Sequence, residues 1–272
     1  MTNHHGDFIW YELLTPDADA ARAFYEGVVG WTIEAQASGD IGYRMIAAAD
    51  GPVAGLMPLT PEMASGGARP TWLGYIGVDD VDAMAASIER GGGTIHLAPT
   101  DLPGVGRFAF VADPAGVSFY LMRGASDEES HAFSYDRPRP GHCAWNELAT
   151  DDPTAALGFY GQRFGWVKDG EMDMGSMGSY QFLRHAGRAP DGSPPGRGMI
   201  GAVMPRPPEM PAPAWTYYFR VPDIDAAAAQ ITDSGGTITQ PPIEIPGGDY
   251  SLSAIDPQGA SFALVGSRGK AR

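Results

Sequence analysis

The stretch that decides the fold is residues 8–31, FIWYELLTPDADAARAFYEGVVGW. It opens with an apolar and aromatic run, residues 8–14, whose composition predicts a β-strand. Asp17 then stands where a helix N-cap is expected, and residues 18–29 carry apolar side chains at helical spacing until Gly30 ends the pattern. The chain therefore opens with a strand that is followed directly by a helix.

A similar stretch occurs a second time in the second half of the chain. Glu12 matches Glu147, and Gly30 matches Gly165 at the same spacing. Later landmarks repeat in the same order at a somewhat larger spacing, which indicates a duplication with changes in loop length. The extra residues of the second copy are predicted to lie in the Gly- and Pro-rich loop 187–198.

The duplication predicts two domains joined by a linker. Residues 124–140 contain an acidic cluster and two prolines, a composition that is typical of a linker. The predicted division is a first domain at 1–123, the linker at 124–140 and a second domain at 141–272. Each predicted domain has an ordinary domain size.

Each copy in turn repeats one smaller pattern. After the first helix, short strands are predicted at 31–35, 43–48 and 53–58. A second strand–helix–three-strand pattern follows, with its helix at residues 82–90. The predicted fold class is therefore α+β, with four βαβββ units in the chain and two in each copy.

Composition restricts the expected partners and compartment. The formal net charge of −15 repels phosphate backbones and anionic membrane surfaces, so nucleic acid is not an expected partner. The sequence has no apolar run of about eighteen residues, so no membrane span is expected. A single cysteine, Cys143, excludes an internal disulfide, and the N-terminus does not resemble a secretory signal. These features favour a cytoplasmic protein. The sequence leaves open whether it is a monomer or a homodimer.

The ordered motifs resemble a known family. Residues 12–31 are similar to the opening of a vicinal oxygen chelate domain, of the glyoxalase / bleomycin-resistance / dioxygenase superfamily, and Gly92-Gly93-Thr94 and Asp113-Pro114 resemble its ending. The Trp-x-Glu-Leu opening and the tandem layout are similar to an actinobacterial subgroup described as antigen or hydroxylase-like proteins. The resemblance covers nearly the whole chain. It implies two tandem domains, in each of which paired βαβββ units curl around a cleft.

The resemblance also implies where a metal would be bound. Members that use a divalent metal take His, Glu or Gln from fixed strand positions. In this sequence those positions hold no credible ligand, so no metal and no cofactor is expected, and the metal-dependent dioxygenase and glyoxalase activities are disfavoured. The corresponding residues are Trp10, Leu73 and Tyr120 in the first copy and Trp145, Thr216 and Ala263 in the second.

Strand alternation places further side chains on the same faces as these positions. Glu12 and Glu147 each share a face with the tryptophan two residues earlier, which makes them the candidate catalytic residues of an aromatic-lined cleft. The second cleft is expected to be roomier and more polar than the first. The predicted ligand-binding residues are Trp10, Tyr75, Tyr120, Trp145, Thr216, Tyr218 and Arg220.

Several functions fit such a cleft. The first is metal-free binding of a small hydrophobic or aromatic metabolite or drug, because rings supply contact area and stacking. The second is a metal-independent isomerase, cyclase or lyase that uses Glu12 or Glu147 as acid or base. The third is a metalloenzyme with an atypical site. Either glutamate could instead be structural and accept hydrogen bonds from the backbone or from a neighbouring tyrosine.

The histidines are predicted to lie outside the site. His96 and His185 are isolated strand residues and are expected at the polar surface. His142 and Cys143 are neighbours on a predicted strand and should face opposite sides, which disfavours a Cys/His nucleophile pair.

Overall fold

A computed structural model describes residues 3–37, 39, 41–136, 138–187 and 198–269. Most of the predicted loop 187–198 lies outside the described residues. In the first copy the strands are β1 Phe8–Thr15, β2 Thr32–Ile33, β3 Arg44–Ala48, β4 Gly51–Pro58, β5 Thr71–Gly77, β6 Thr94–Leu102, β7 Gly106–Ala112 and β8 Ser118–Gly124. The helices of this copy are α1 Ala18–Val29, α2 Pro61–Ser65 and α3 Val81–Arg90.

The second copy largely repeats this order of elements. Its strands are β9 Cys143–Thr150, β10 Trp166–Asp173, β11 Ser179–His185, β12 Met199–Pro205, β13 Ala214–Arg220, β14 Thr237–Glu244, β15 Tyr250–Ile255 and β16 Ser261–Gly266. Its helices are α4 Pro153–Phe164 and α5 Ile224–Asp233. None of the helices in the described ranges is long and apolar enough to cross a lipid bilayer.

The strands form two mixed sheets of eight strands each. Their orders are β2-β3-β4-β1-β5-β8-β7-β6 and β10-β11-β12-β9-β13-β16-β15-β14. Within each βαβββ unit the first strand pairs in parallel with the last, as β1 does with β4 and β13 with β16, because the helix provides the crossover. The predicted α+β class with four βαβββ units is confirmed.

Helix ends follow the signals in the sequence. The Asp17 carboxylate accepts a hydrogen bond from the Ala20 N–H, which caps α1, and Gly30 ends this helix with a left-handed φ of 81°. The strand predicted at 31–35 is shorter than expected and covers only Thr32–Ile33. Trp31 is instead a core anchor, because its ring is buried and its indole N–H donates to the Gly141 carbonyl at 2.7 Å.

The chain divides into two compact units, and each unit combines segments of both copies. The first unit consists of residues 1–9, 74–130 and 145–215. The second consists of residues 10–73, 131–144 and 216–272. Each unit therefore contains most of the second βαβββ unit of one copy and most of the first of the other. The predicted domain boundaries at 1–123, 124–140 and 141–272 stay a prediction.

Helices α3 and α4 pack together in the core of the first unit. Within this unit the indole N–H of Trp215 donates to the Tyr160 hydroxyl at 3.2 Å, and this hydroxyl donates to Asp113 Oδ2 at 3.1 Å. Asp113 Oδ1 also accepts from the N–H groups of Ala115 and Val117, both at 2.9 Å. One aspartate thus fixes a tight turn and holds a tyrosine contributed by the other copy.

The second unit contains the equivalent arrangement. Trp72 donates to the Tyr25 hydroxyl at 2.9 Å, and Tyr25 donates to Asp256 Oδ2 at 3.0 Å. Asp256 Oδ1 accepts from the N–H groups of Gln258 and Ala260. Burial raises the pKa of Tyr25 well above its usual value, and the nearby charge of Asp256 adds to this.

Two histidines are structural residues in the cores of these units. The prediction that His185 lies at the surface is wrong, since it is 8% exposed and its Nε2 lies 3.0 Å from Asp7 Oδ1. The contact with this carboxylate makes burial of the ring possible. His142 is also buried, with Nε2 at 2.7 Å from Asp50 Oδ1 and Nδ1 against the His131 carbonyl. The hydrogen bond to His142, with that from the Arg139 guanidinium, lowers the pKa of Asp50 to about 2.

Candidate functional site

The first strand of each copy has one face in the core and one face with polar groups. Tyr11 and Leu13 on β1 are fully buried, as alternation predicts for residues opposite Trp10 and Glu12. On β9 Leu148 is fully buried. The side chains of interest therefore lie on the other face of each strand.

In the second copy this face carries a hydrogen-bonded chain of three side chains. The indole N–H of Trp145 donates to the Tyr180 hydroxyl at 2.7 Å, and that hydroxyl donates to Glu147 Oε2 at 2.6 Å. Tyr180 lies on β11, which is joined to β9 through β12. The carboxylate is therefore held by a tyrosine that the tryptophan orients.

A third ring completes this group. Phe182 lies two residues after Tyr180 on the same strand and meets its ring edge-on, with centroids 5.6 Å apart. Its ring also meets Trp145 edge-on at 6.1 Å. All four side chains are half-buried, so solvent reaches the group. We call Trp145, Glu147, Tyr180 and Phe182 the Trp145 site.

The first copy has the same chain in a more buried form. Trp10 donates to the Tyr43 hydroxyl at 2.9 Å, and Tyr43 is hydrogen-bonded to Glu12. Glu12 is only 2% exposed. Burial raises the pKa of the Tyr43 phenol far above its usual value, and the charge of Glu12 raises it further. We call Trp10, Glu12 and Tyr43 the Trp10 site.

Two of the predicted ligand-binding residues of the first copy pack against each other. Tyr75 on β5 is directly opposite Tyr120 on β8, and the rings stack with centroids 4.2 Å apart and planes at 16°. Phe110 on β7 adds a further ring 4.8 Å from Tyr120. Both tyrosines are buried, so this face of β5, β7 and β8 is filled by rings.

The equivalent face in the second copy carries small residues. Tyr218 is opposite Ala263, where the first copy has Tyr120, and Ala263 is opposite Ser253, where the first copy has Phe110. Thr216, Tyr218 and Arg220 are half-buried on β13 and alternate with buried residues, as predicted. The Arg220 guanidinium forms an ion pair with Asp249 at 2.8 Å.

The side chains do not fit the metal that many members of such folds bind. Within the described ranges, no three His, Cys, Asp or Glu residues are grouped so that they could hold a metal ion. Each site glutamate is hydrogen-bonded to a phenol hydroxyl. Divalent transition metals need several imidazole, thiolate or carboxylate ligands together, and each of the two sites as defined offers a single carboxylate, so these residues do not fit such a metal.

The sequence allowed for a tyrosine donor to each glutamate, as the structure has it, but did not identify which tyrosine. Tyr43 and Tyr180 lie 33 and 35 residues from their tryptophan partners, on or next to other strands. One signal was present, because each tyrosine lies between the same two repeated motifs. These motifs are Gly30-Trp31 and Met57-Pro58 in the first copy, and Gly165-Trp166 and Met204-Pro205 in the second. Glu12, Glu147, Trp10 and Trp145 do lie on the faces that alternation predicted.

Comparison with known proteins gives consistent matches over nearly the whole chain. The sequence model of the Glyoxalase/Bleomycin resistance protein/Dioxygenase superfamily matches residues 8–121 and 139–264. CFP32, a Mycobacterium bovis protein that carries a glyoxylase name, is 33% identical over 258 residues, which cover 94% of this chain and 93% of CFP32. The anthracycline biosynthesis protein DnrV of Streptomyces peucetius is 30% identical over 267 residues, which cover 94% of this chain and 91% of DnrV.

The fold also matches solved structures. The Mn(II)-bound glyoxalase from Novosphingobium aromaticivorans superposes with a TM-score of 0.62 at 18% identity. The match covers 97% of this chain and 83% of that protein. At this identity the likeness concerns the fold alone.

Proposed function

The chain belongs to the Glyoxalase/Bleomycin resistance protein/Dioxygenase superfamily, and on that premise we propose that its Trp145 site binds a small hydrophobic or aromatic molecule without a metal. One observation carries the proposal. Three half-buried rings contact one another, and one of them, Tyr180, donates a hydrogen bond to the half-buried Glu147 carboxylate. This arrangement combines apolar contact area with one directed polar group, as small-molecule sites do.

The rings and the carboxylate have different roles in the proposed complex. Trp145 and Phe182 meet edge-on, so they present ring surfaces in different directions to a flat ligand. Glu147 accepts hydrogen bonds, so it selects ligands with a hydroxyl, amine or other donor at the edge of the apolar body. The site therefore favours an aromatic molecule with a donor group.

The named relatives support the same ligand class. DnrV of Streptomyces peucetius is named for anthracycline biosynthesis, and anthracyclines contain fused aromatic rings with hydroxyl substituents. A hydroxylated fused-ring molecule would offer a flat face to the rings and donors to Glu147. A small hydroxylated anthraquinone is therefore a suitable probe.

The test is the binding of 2,6-dihydroxyanthraquinone, whose hydroxyls lie away from the quinone carbonyls and are free to donate, to the full chain after treatment with a chelator. Tryptophan fluorescence and equilibrium dialysis follow the binding. We expect saturable binding of one molecule per chain. Glu147→Gln should weaken binding about tenfold, which corresponds to about 1.4 kcal/mol for a hydrogen bond to a charged group.

The matched control is Glu89→Gln, an exposed glutamate on α3, which should bind like the unaltered chain. Binding that occurs only after a divalent metal is added would contradict the metal-free proposal. Equal affinities for Glu147→Gln and Glu89→Gln would remove Glu147 from the site.

A second candidate is metal-independent catalysis by an isomerase, cyclase or lyase, with Glu147 as acid or base. The 2.6 Å hydrogen bond between Tyr180 and Glu147 favours it, because a phenol and a carboxylate in contact can hold and pass a proton. Glu12 has a similar partner but is buried, so Glu147 is the better candidate. Unchanged turnover of an identified substrate by Glu147→Gln would exclude this role.

The third candidate, a metalloenzyme with an atypical site, has no side-chain group in its favour among the described residues.

A further inference from the structure

The Trp10 and Trp145 sites share three residue types, and two of their neighbours differ. Met45 stands in the first copy where Phe182 stands in the second, opposite a second differing position on β4 and β12. The parallel pairing of β1 with β4 places Gly55 beside Glu12. The same pairing of β9 with β12 places Ala202 beside Glu147. The two sites thus differ at this position by a single methyl group.

The space of the missing methyl group at Gly55 is occupied by a tyrosine ring. A Cβ built on Gly55 would overlap the Oη and Cζ atoms of Tyr43 and lie 2.7 Å from its Cε1. Tyr43 therefore lies against the backbone of β4, in space that any side chain at position 55 would fill. The φ of Gly55 is not positive, so the backbone there would accept an alanine.

The second copy cannot adopt this arrangement. Ala202 has a Cβ where Gly55 has none, so a tyrosine ring cannot occupy the same space against the backbone of β12. The exposures agree with this difference, since Glu12 is 2% exposed whereas Glu147 is half-buried. A change of one methyl group is felt in packed regions because side chains fit closely there.

We infer that the residue at position 55 or 202 determines which copy admits a ligand: glycine lets the tyrosine close over the glutamate, and alanine keeps the glutamate accessible. The inference rests on the proposed function and deepens it. It predicts that each chain binds one ligand, at the Trp145 site. Gly55 and Ala202 determine which of the two sites binds the ligand, and neither residue needs to touch it.

The first test needs no ligand. A water-soluble carbodiimide with an amine nucleophile labels accessible carboxylates, and peptide mass spectrometry reports the rate at each glutamate. In the unaltered chain Glu147 should be labelled about tenfold faster than Glu12, as expected if Glu12 is covered for about nine-tenths of the time. Glu89 on α3 serves as the internal reference.

The two exchanges of glycine and alanine should act in opposite directions. Gly55→Ala should raise the labelling rate of Glu12 about tenfold by displacing Tyr43. Ala202→Gly should lower the labelling rate of Glu147 and weaken binding of 2,6-dihydroxyanthraquinone about tenfold. Circular dichroism and the Tm show whether each variant is folded. If Gly55→Ala does not fold, Ala202→Gly, which only removes a methyl group, remains as the test.

Failure of the inference can be told apart from failure of the proposed function. If the probe binds and Glu147→Gln weakens it, but neither exchange changes labelling, the inference is overturned while the function stands. Binding of two probe molecules per unaltered chain would also overturn the inference. If the probe does not bind but labelling follows the exchanges as expected, the structural half of the inference is supported and the proposed ligand class is wrong.

Discussion

The first compact unit contains two Trp–Tyr–carboxylate chains with the same order of donors and very different surroundings. Trp145 donates to Tyr180 and Tyr180 to Glu147, all at a half-buried surface. Trp215 donates to Tyr160 and Tyr160 to Asp113, all in the core. The same kind of chain therefore occurs once where solvent reaches it and once where it does not.

The carboxylates of the two hydrogen-bonded chains differ in burial, and Asp113 also has a role in a turn. Asp113 also accepts two backbone N–H groups and closes a turn, so its oxygens are used by the protein itself. Glu147 lies on a strand face among rings and is open to solvent. Similar residue types therefore occur in two environments that differ in burial.

The largest effect should come from removing Asp113, the acceptor in the buried Trp215–Tyr160–Asp113 series of hydrogen bonds. Asp113→Ala leaves the Tyr160 hydroxyl and two backbone N–H groups without their buried acceptor, so we expect a loss of about 3 kcal/mol in the free energy of unfolding. Urea denaturation followed by circular dichroism measures it. The control is Asp82→Ala, which removes an exposed partner of Arg107 and should change the free energy of unfolding far less, because solvent screens exposed ion pairs. Equal losses in both variants would contradict the structural role of Asp113.

The next effect compares one substitution in the two chains. Tyr160→Phe removes a buried hydroxyl and should cost about 1–2 kcal/mol of unfolding free energy. Tyr180→Phe removes a half-buried hydroxyl whose partners can bind water instead, so it should cost about 0.5 kcal/mol. Tyr180→Phe should nevertheless weaken probe binding, because Glu147 loses its fixed position. If Tyr180→Phe proved the more destabilising of the two, the Trp145 chain would be structural.

The smallest effect is a pH dependence of the unfolding free energy that comes from Asp113 in the buried Trp215–Tyr160–Asp113 series of hydrogen bonds. Desolvation raises the pKa of Asp113 above its usual value of 3.8, although its backbone hydrogen bonds oppose this. Its contribution to stability is therefore fully present below pH 3.8 and is lost as the pH rises through the folded pKa. In Asp113→Asn this loss should be absent, so the unfolding free energy of the unaltered chain should fall relative to that of the variant as the pH rises. Parallel pH profiles would show that the pKa of Asp113 is not raised.

The face on which a side chain lies could be predicted from the sequence, whereas its partners on distant strands could not. Strand alternation has a period of two residues, so it placed Trp145 and Glu147 on one face without knowledge of any neighbour. Tyr180 required the register of β11, β12 and β9, which depends on loops whose lengths differ between the copies. His185 was misplaced for a similar reason, because its partner Asp7 is far away in the sequence.

The α+β fold and the four βαβββ units could also be predicted, because repeats and caps are visible in the sequence. Which segments make up each compact unit could not be predicted from the sequence. It depends on which helix packs on which, as α1 does on α5 and α3 on α4, and this is decided by the shapes of surfaces that periodicity does not describe.

The exchange of partners between copies has an evolutionary consequence. Tyr25 of the first copy depends on Asp256 of the second, and Tyr160 of the second depends on Asp113 of the first. A gene that lost either half would leave a tyrosine without its aspartate in the remaining half. The two halves of the gene are therefore expected to be inherited together, because each supplies a buried acceptor that a tyrosine of the other half requires.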